Sequence, residues 1–139
     1  MQTGERGNIT EAKILAALIE AGYFVCVPFG SGHKYDLVID DLKKIYRVQC
    51  KTGRIRNGSL IFNSYSQSGN GSTKQGYYGL ADLFAVLHPE TEEVYIVPVE
   101  AVGAAGVVLR LVPPLSGQTK RINWARNYLL KSLAKESQF

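Results

Sequence analysis

Cysteine and long apolar runs are both scarce in this chain of 139 residues, and each shortage excludes a class of protein. The two cysteines, Cys26 and Cys50, have no CxxC spacing, which argues against a disulfide framework or a structural zinc site. No apolar run approaches the length of a membrane span, and the N-terminus has no signal-peptide pattern. We therefore expect a cytoplasmic protein that is not associated with a membrane.

Acidic residues are missing from one long stretch of the chain. No Asp or Glu occurs from Leu42 to Ala81, although the net charge of the whole chain is only +4. The basic residues in this stretch are Lys43, Lys44, Arg47, Lys51, Arg54, Arg56 and Lys74. Asn, Gln, Ser and Tyr residues lie between them, and these side chains suit phosphates and base edges. The stretch therefore favours nucleic-acid binding over a merely solvated basic face.

The hydrophobic pattern predicts one mixed α/β domain over residues 1–139. Apolar residues at helical spacing predict a first helix in GNITEAKILAALIEAG, with Asn8 as its N-cap and Gly22 just beyond its end. Short apolar segments separated by turn residues predict mostly antiparallel strands, among them YDLVID, IYRVQCKT, NGSLIFNS, LFAVLHP and VYIVPV. QSGNGSTKQGYYG is typical of a loop, EAVGAAG of a short helix and INWARNYLLKSLAK of a C-terminal helix.

Three polar residues fall on two strands that we expect to pair as a hairpin across DLKK. In some registers Asp36, Gln49 and Lys51 share one face of the hairpin, and Val48 and Cys50 take the other. A tight turn would pair Asp36 with Lys51, and a slightly longer turn would pair it with Gln49. A slip by one residue would separate the three side chains. The sequence does not decide between these registers.

Such a polar face has the groups needed to hydrolyse a phosphodiester. Asp36 offers a hard oxygen ligand for Mg²⁺, and the Cys50 carbonyl and Gln49 amide oxygens can add to it. Lys51 can orient an attacking water and offset charge in the transition state. Glu11, on the first helix, offers a further acid. Each has a simpler interpretation too: Asp36 can form an ion pair with Lys51, and Glu11 can cap the helix start in a capping box.

A known family shows this arrangement. A Glu on the first helix, an Asp on the second strand and a (D/E/Q)-x-K triplet on the third strand resemble the PD-(D/E)XK nucleases. In this chain they are Glu11, Asp36 in the pair YD, and the triplet QCK at 49–51. Tyr35 replaces the motif proline, and Gln49 replaces the usual second acid. GERGNITEAKILAALIEAGYFVCVPFGSGHKYDLVID, YRVQCKTGR and VYIVPV more specifically resemble the cyanobacterial, group I intron-associated homing endonucleases of that fold.

The resemblance implies a restriction-endonuclease-like α+β core, in which a mixed β-sheet is flanked by helices. It implies cleavage of double-stranded DNA with Mg²⁺, or with Mn²⁺, as the cofactor. The metal ligands would be Asp36, Glu11, the Gln49 amide and the Cys50 carbonyl, and Lys51 would assist the attacking water. It also implies a homo-oligomer, a tetramer or a dimer. A chain this small reads a long DNA site most simply by symmetric duplication.

The acid-free stretch then predicts a DNA-binding element. We expect the hairpin from Arg54 to Gln67 to enter a DNA groove, with Arg54 and Arg56 contacting guanine or phosphate. The residues expected to make softer polar contacts are Asn57, Ser59, Asn63, Ser64, Ser66 and Gln67. The further phosphate candidates are Lys74, Lys120 and Arg121. Two alternatives stay open: a Holliday-junction resolvase or repair nuclease of the same fold, and a DNA-binding module that has lost catalysis with the acid at position 49.

Overall fold

The computed structural model describes residues 3–67, 74–77, 79–103 and 106–136. Only the backbone is described for Thr3, Ser66, Gln67, Lys74, Gln75 and residues 134–136. Within these residues the helices are α1 (Thr3–Glu20) and α2 (Leu130–Glu136), and neither is long and apolar enough to span a membrane. The strands are β1 (Phe24–Cys26), β2 (Leu37–Asp40), β3 (Ile45–Thr52), β4 (Arg54–Arg56), β5 (Ser59–Asn63), β6 (Tyr65–Gln67), β7 (Lys74–Gly76), β8 (Leu83–Leu87), β9 (Val94–Pro98) and β10 (Gly106–Arg110).

The strands form one mixed sheet and two smaller antiparallel sheets. The central sheet has the order β1-β2-β3-β8-β9, in which only β3 and β8 run parallel. A second sheet has the order β10-β5-β4, and β6 pairs with β7. The predicted mixed sheet flanked by helices is therefore confirmed.

Both faces of the central sheet are covered. On one face, Val48 and Cys50 of β3 belong to a buried cluster with Ile14 and Leu18 of α1. On the other face, Phe84 of β8 belongs to a second buried cluster, which contains Leu60 and Phe62 of β5 and Leu109 of β10. Because it is buried on both faces, β8 is an unbroken apolar run rather than an alternating one.

The first helix ends where the sequence predicts and begins earlier. Gly22 has a φ of 97°, its N–H donates to Ile19, and the Tyr23 N–H donates to Leu18, which together form a Schellman ending. The predicted N-cap at Asn8 is wrong, because α1 already begins at Thr3. The apolar pattern starts only at Ile9, so the exposed first turns carry no periodic signal. The capping-box interpretation of Glu11 fails with it, since this residue lies near the middle of the helix.

The predicted C-terminal helix is interrupted. Ala125–Tyr128 forms a 3₁₀ turn, Leu129 is extended and bridges to Tyr95 of β9, and α2 follows. Ala125 belongs to the buried cluster beneath β5, whereas Leu130 belongs to the cluster beneath α1. The chain thus passes around the β9 edge of the central sheet, which a continuous helix could not do.

Two other segments differ in detail from the expectation. The short helix predicted in EAVGAAG is only a 3₁₀ turn at Val99–Ala101. The predicted loop at 67–79 contains β7, which pairs with β6. Residues 68–73 and 78 of that loop lie outside the described residues.

Two glycine substitutions test the bounds of α1. We expect Gly7→Ala to raise the free energy of unfolding by about 0.5–1 kcal/mol, because glycine is unfavourable inside a helix. Gly22→Ala should lower it by about 1–2 kcal/mol, because alanine resists a positive φ. An added Cβ meets no atom within 4 Å at either site, so backbone preference alone is measured. Urea unfolding gives both values, and no gain from Gly7→Ala would contradict the early start of the helix.

Candidate active site

The register of the β2–β3 hairpin decides whether the three polar residues meet. Leu37 pairs with Val48, and the Asp36 N–H donates to the Val48 carbonyl over 2.8 Å. Asp36 therefore lies beside Gln49, which is the register of the longer turn. The turn is closed by Asp41, whose Oδ1 accepts the N–H groups of the two lysines that follow. Of the registers that the sequence left open, this one places Asp36, Gln49 and Lys51 on one face of the hairpin.

The Asp36 carboxyl is held by the backbone of β3. Its Oδ2 accepts the Cys50 N–H over 2.8 Å. Burial raises the pKa of Asp36, and the Cys50 hydrogen bond and the Lys51 charge act in the opposite direction. No hydrogen bond to Oδ1 is found among the described residues, so this oxygen can serve a further ligand.

Glu11 adds a second carboxyl from α1. Burial raises the pKa of Glu11, and the nearby charge of Asp36 raises it further. Burial also raises the pKa of the Cys50 thiol, with smaller contributions from the same two carboxyls. The thiol is therefore protonated at neutral pH, and its residue can offer a metal only the backbone carbonyl. Two carboxyls that repel each other create a site that a cation would stabilise.

Lys51 lies on the same face of β3 and is half-buried. Its Nζ is 4.8 Å from the centre of the Tyr77 ring. Burial lowers the pKa of Lys51, and Asp36 partly opposes that effect. Among the described ion pairs none joins Lys51 to Asp36, so the simple ion-pair interpretation is wrong. The ammonium group packs on an aromatic ring instead, close enough to Asp36 for the two charges to interact.

The oxygens gathered here match a hard divalent cation. They are the carboxyls of Glu11 and Asp36, the Gln49 amide and the Cys50 carbonyl, and Mg²⁺ prefers such ligands. No group of three or more His, Cys, Asp or Glu residues with metal-binding geometry occurs in the part of the chain that the structure describes. At this site the neutral Gln49 stands on the same face as Asp36, so its amide oxygen is a ligand without charge.

The basic hairpin continues directly from the candidate site. Arg54 and Arg56 alternate with Ile55 along β4, so both arginines are exposed on the outer face of the three-stranded sheet, whereas Ile55 packs on the core. Asn57 and Gly58 form the turn, with φ values of 51° and 76°. Two positive φ values are typical of the type I′ turn that the Asn-Gly pair predicts.

Two of the predicted DNA contacts are not on the surface. Ser59 and Ser64 are only 3% and 2% exposed. The Ser59 hydroxyl accepts a hydrogen bond from Arg110, and the Ser64 hydroxyl donates to the Gly103 carbonyl. The expectation that their side chains reach DNA is wrong for this fold, because hairpin position alone does not reveal what covers a small side chain.

The other predicted contacts stand as follows. Asn57, Lys120 and Arg121 are exposed, and Asn63 is half-buried on the outer face. For Ser66, Gln67 and Lys74 the side chains lie outside what the structure describes.

The structure adds residues that the sequence did not indicate. Register places Arg56, Ser59, Arg110 and Trp124 side by side in one row on the outer face. The guanidinium carbon of Arg126 lies 4.3 Å from the centre of the Trp124 ring. The isolated bridge between Arg110 and Trp124 brings Trp124 and Arg126 beside the hairpin, a position that the predicted helix over these residues concealed.

The Arg110 guanidinium holds this surface together. It donates to the Asn57 carbonyl over 2.7 Å and to the Val112 carbonyl over 2.6 Å. The tip of the β4–β5 hairpin is thereby tied to the strand that precedes the C-terminal segment. The Arg110 guanidinium is engaged in these hydrogen bonds, whereas the side chains of Arg54, Arg56 and Arg126 are exposed.

Position 49 can be tested without any substrate. Gln49→Glu should destabilise the metal-free protein, because it places a third carboxyl beside Asp36 and near Glu11. Burial raises the pKa of both existing carboxyls, so the folded state loses stability as they ionise above their ordinary range. The loss should therefore grow as the pH rises above about 4, the ordinary pKa range of carboxyls. Urea unfolding in the absence of divalent ions measures it.

Addition of Mg²⁺ should reverse the order of stability. We expect Gln49→Glu to bind Mg²⁺ on the order of tenfold more tightly than the unchanged chain, because ligand charge raises affinity. Gln49→Met, which has no amide oxygen, should show the weakest stabilisation by Mg²⁺. Equal Mg²⁺ responses of all three proteins would remove position 49 from the metal site.

Comparisons with known proteins bear on the fold and the family of this chain. The model of the PD-(D/E)XK endonuclease family matches residues 1–131. A search of curated protein sequences gives no match. Among solved structures, the bacterial homing endonuclease I-Ssp6803I is similar, with a TM-score of 0.68 and 18% identity over 98% of this chain and 91% of that one. A Holliday junction resolvase, Hjc of Archaeoglobus fulgidus, has a TM-score of 0.48 and 16% identity over 76% of this chain and 84% of that one. The chain, which carries Glu11, Asp36 and the QCK triplet on these elements, belongs to the PD-(D/E)XK endonuclease family.

Proposed function

We propose that this nuclease is a site-specific, double-strand DNA endonuclease of the homing type that depends on Mg²⁺ and acts as a homo-oligomer. The observation that carries the proposal is the common face of Asp36, Gln49 and Lys51. Glu11 lies close enough to this face for the charge of Asp36 to raise the pKa of the Glu11 carboxyl. This combination of acids, amide and amine at one sheet end suits phosphodiester hydrolysis.

Each residue has a separate task in this reaction. Asp36 and Glu11 hold the cation, with the Gln49 amide and Cys50 carbonyl oxygens completing the ligand set. When bound, the cation supplies charge neutralisation at the phosphate and acidifies a coordinated water. Lys51 orients the attacking water and offsets the negative charge that grows on the phosphate. Its half-buried position strengthens that interaction, because water screens it less.

The outer face of the three-stranded sheet is the proposed DNA surface. Arg54 and Arg56 enter a groove, and Asn57 and Asn63 make softer contacts. The row from Arg56 to Trp124 spans three inter-strand steps of about 4.8 Å, or roughly 14 Å. The major groove is about 12 Å wide, so Arg56 at one end of the row and Arg126, which packs on Trp124 at the other end, suit phosphates on opposite sides of it. Lys120 and Arg121 are further phosphate contacts.

Sequence reading is favoured over the recognition of junction shape. Contacts to base edges require exposed amide and guanidinium groups on an element that fits a groove, and the β4–β5 hairpin presents both. The similarity of nearly the whole chain to a bacterial homing endonuclease supports the same assignment. A homo-oligomer follows from the small size of the chain, because symmetry doubles the length of DNA that is read.

Cleavage assays separate the candidate functions. The protein is incubated with a random-sequence duplex pool, with four-way junction DNA and with single duplexes, each with and without Mg²⁺. We expect a narrow set of duplex sequences to be cut in both strands, and only with Mg²⁺. Cleavage confined to junctions would favour a resolvase, and binding with no cleavage under any metal condition would favour a DNA-binding module.

Lys51 variants test the proposed chemistry. Lys51→Met keeps an aliphatic chain against Tyr77 and removes the charge, so it should fold and bind DNA while cleavage falls by about 10²-fold or more. Lys51→Ala should lose cleavage similarly. Single-turnover kinetics on a cleaved duplex measure the effect, and binding in the absence of Mg²⁺ serves as the control. Undiminished cleavage in either variant would exclude Lys51 from the chemistry.

The arginines at the two ends of the row can be compared by the salt dependence of DNA binding. Arg56→Gln and Arg126→Gln should each lower the slope of log binding constant against log salt by about one unit, if each contacts a phosphate. Lys131→Gln is the matched control, because this exposed lysine of α2 pairs with Glu93 away from the row. Fluorescence anisotropy at several salt concentrations gives the slopes. An unchanged slope for Arg126→Gln would limit the DNA surface to the hairpin.

A further inference from the structure

One phenylalanine is completely exposed near the candidate active site. Phe29, in the connection between β1 and β2, is 99% exposed. Single exposed apolar side chains are common and usually carry no function. Phe29 differs in three respects: local contacts hold its loop in place, the loop lies at the end of the sheet that carries the candidate site, and residues 21–35 contain no Asp or Glu.

The backbone around Phe29 is ordered by local contacts. Nε2 of His33 donates to the Phe29 carbonyl over 2.6 Å. The His33 ring lies 5.9 Å from the ring of Tyr35, which packs against the buried cluster beneath β5. Gly30 and Gly32 have φ values of 90° and 82°, which fold the chain back behind Phe29. The Phe29 ring thus lies on a loop that is held by local contacts, and the loop leaves the ring exposed.

Topology brings this loop to the same end of the sheet as the candidate site. The last pair between β1 and β2 joins Cys26 to Val38, so the connection leaves the sheet next to Asp36. Because β3 runs antiparallel to β2, Lys51 and the start of β4 lie at that end as well. The Phe29 loop and the basic hairpin therefore lie at one end of the central sheet together with Asp36 and Lys51.

The charge of the loop favours a polyanion over a protein surface. Residues 21–35 contain no Asp or Glu, and His33 and Lys34 follow Phe29 by four and five residues. An apolar side chain framed by basic and small residues resembles the wedges with which some proteins part neighbouring base pairs. A second copy of the chain would cover Phe29 equally well. Contact between copies does not explain why the loop has no acidic residues, whereas contact with the phosphates of DNA does.

We propose that Phe29 inserts between two base pairs of duplex DNA close to the phosphate that is cleaved. The inference rests on the proposed function, because it takes duplex DNA as the substrate. Insertion would unstack one step and kink the duplex, which turns the scissile phosphate toward Asp36 and Lys51. The enzyme would consequently favour a flexible pyrimidine–purine step at that point of its target, although Phe29 makes no hydrogen bond to a base.

The test begins with a duplex selected from a random-sequence pool by binding in the absence of Mg²⁺. 2-Aminopurine, whose fluorescence rises when it is unstacked, then replaces single bases along that duplex. With the unchanged protein we expect a rise at one step beside the cleaved phosphate. Phe29→Ala should lose the rise and bind on the order of tenfold more weakly, whereas Phe29→Leu should keep part of both. Leu115→Ala, which truncates another fully exposed apolar side chain, is the matched control and should behave as the unchanged protein.

The outcomes separate this inference from the proposed function. Cleavage of the duplex in Mg²⁺ without any fluorescence rise, or with a rise that survives Phe29→Ala, would overturn the wedge and leave the nuclease proposal intact. A Phe29-dependent rise without cleavage would support the wedge and contradict the nuclease proposal. A lower mass of DNA-free Phe29→Ala in sedimentation, with unchanged DNA binding, would assign Phe29 to a contact between copies and overturn the wedge. Failure to bind any duplex would overturn both.

Discussion

The pairing of Asp36 with the backbone of β3 is the contact on which the candidate site depends. One residue uses two groups for it: the Asp36 N–H donates to Val48 and the carboxyl accepts from Cys50. These bonds set the register between β2 and β3, and register determines which side chains share a face. The same strand then places Val48 in the core beneath α1 and Lys51 on the opposite face. A slip by one residue would bury the lysine and expose the core.

The site is electrostatically unfavourable by itself, and the rest of the fold stabilises it. Burial raises the pKa of Glu11 and Asp36 and lowers the pKa of Lys51, so each charged form is destabilised where it stands. Perturbation of this kind is common where side chains are arranged for chemistry. The two buried clusters on either side of the central sheet offset that cost. Gln49 also reduces it, because a neutral amide avoids a third negative charge next to Asp36.

Two segments lie beside the candidate site, one before the β2–β3 strand pair in the chain and one after it. The Phe29 loop precedes Asp36 along the chain, and the basic hairpin follows Lys51. Antiparallel pairing of β2 and β3 brings both to the sheet end that carries the candidate site. Arg110, in turn, ties the hairpin tip to a remote part of the chain. The proposed DNA surface therefore depends on contacts between distant segments as much as on its own residues.

The sequence by itself determined the features that neighbouring residues control. The Schellman ending at Gly22, the Asn57-Gly58 turn, the strand segments and the residues of the family motif could all be read from local pattern. Only the tertiary structure decided the hairpin register, the burial of Ser59 and Ser64, the break at Leu129 and the position of Trp124 beside Arg110. The physical reason is that backbone preference and periodicity act over a few residues, whereas strand pairing and burial depend on partners far away in the chain.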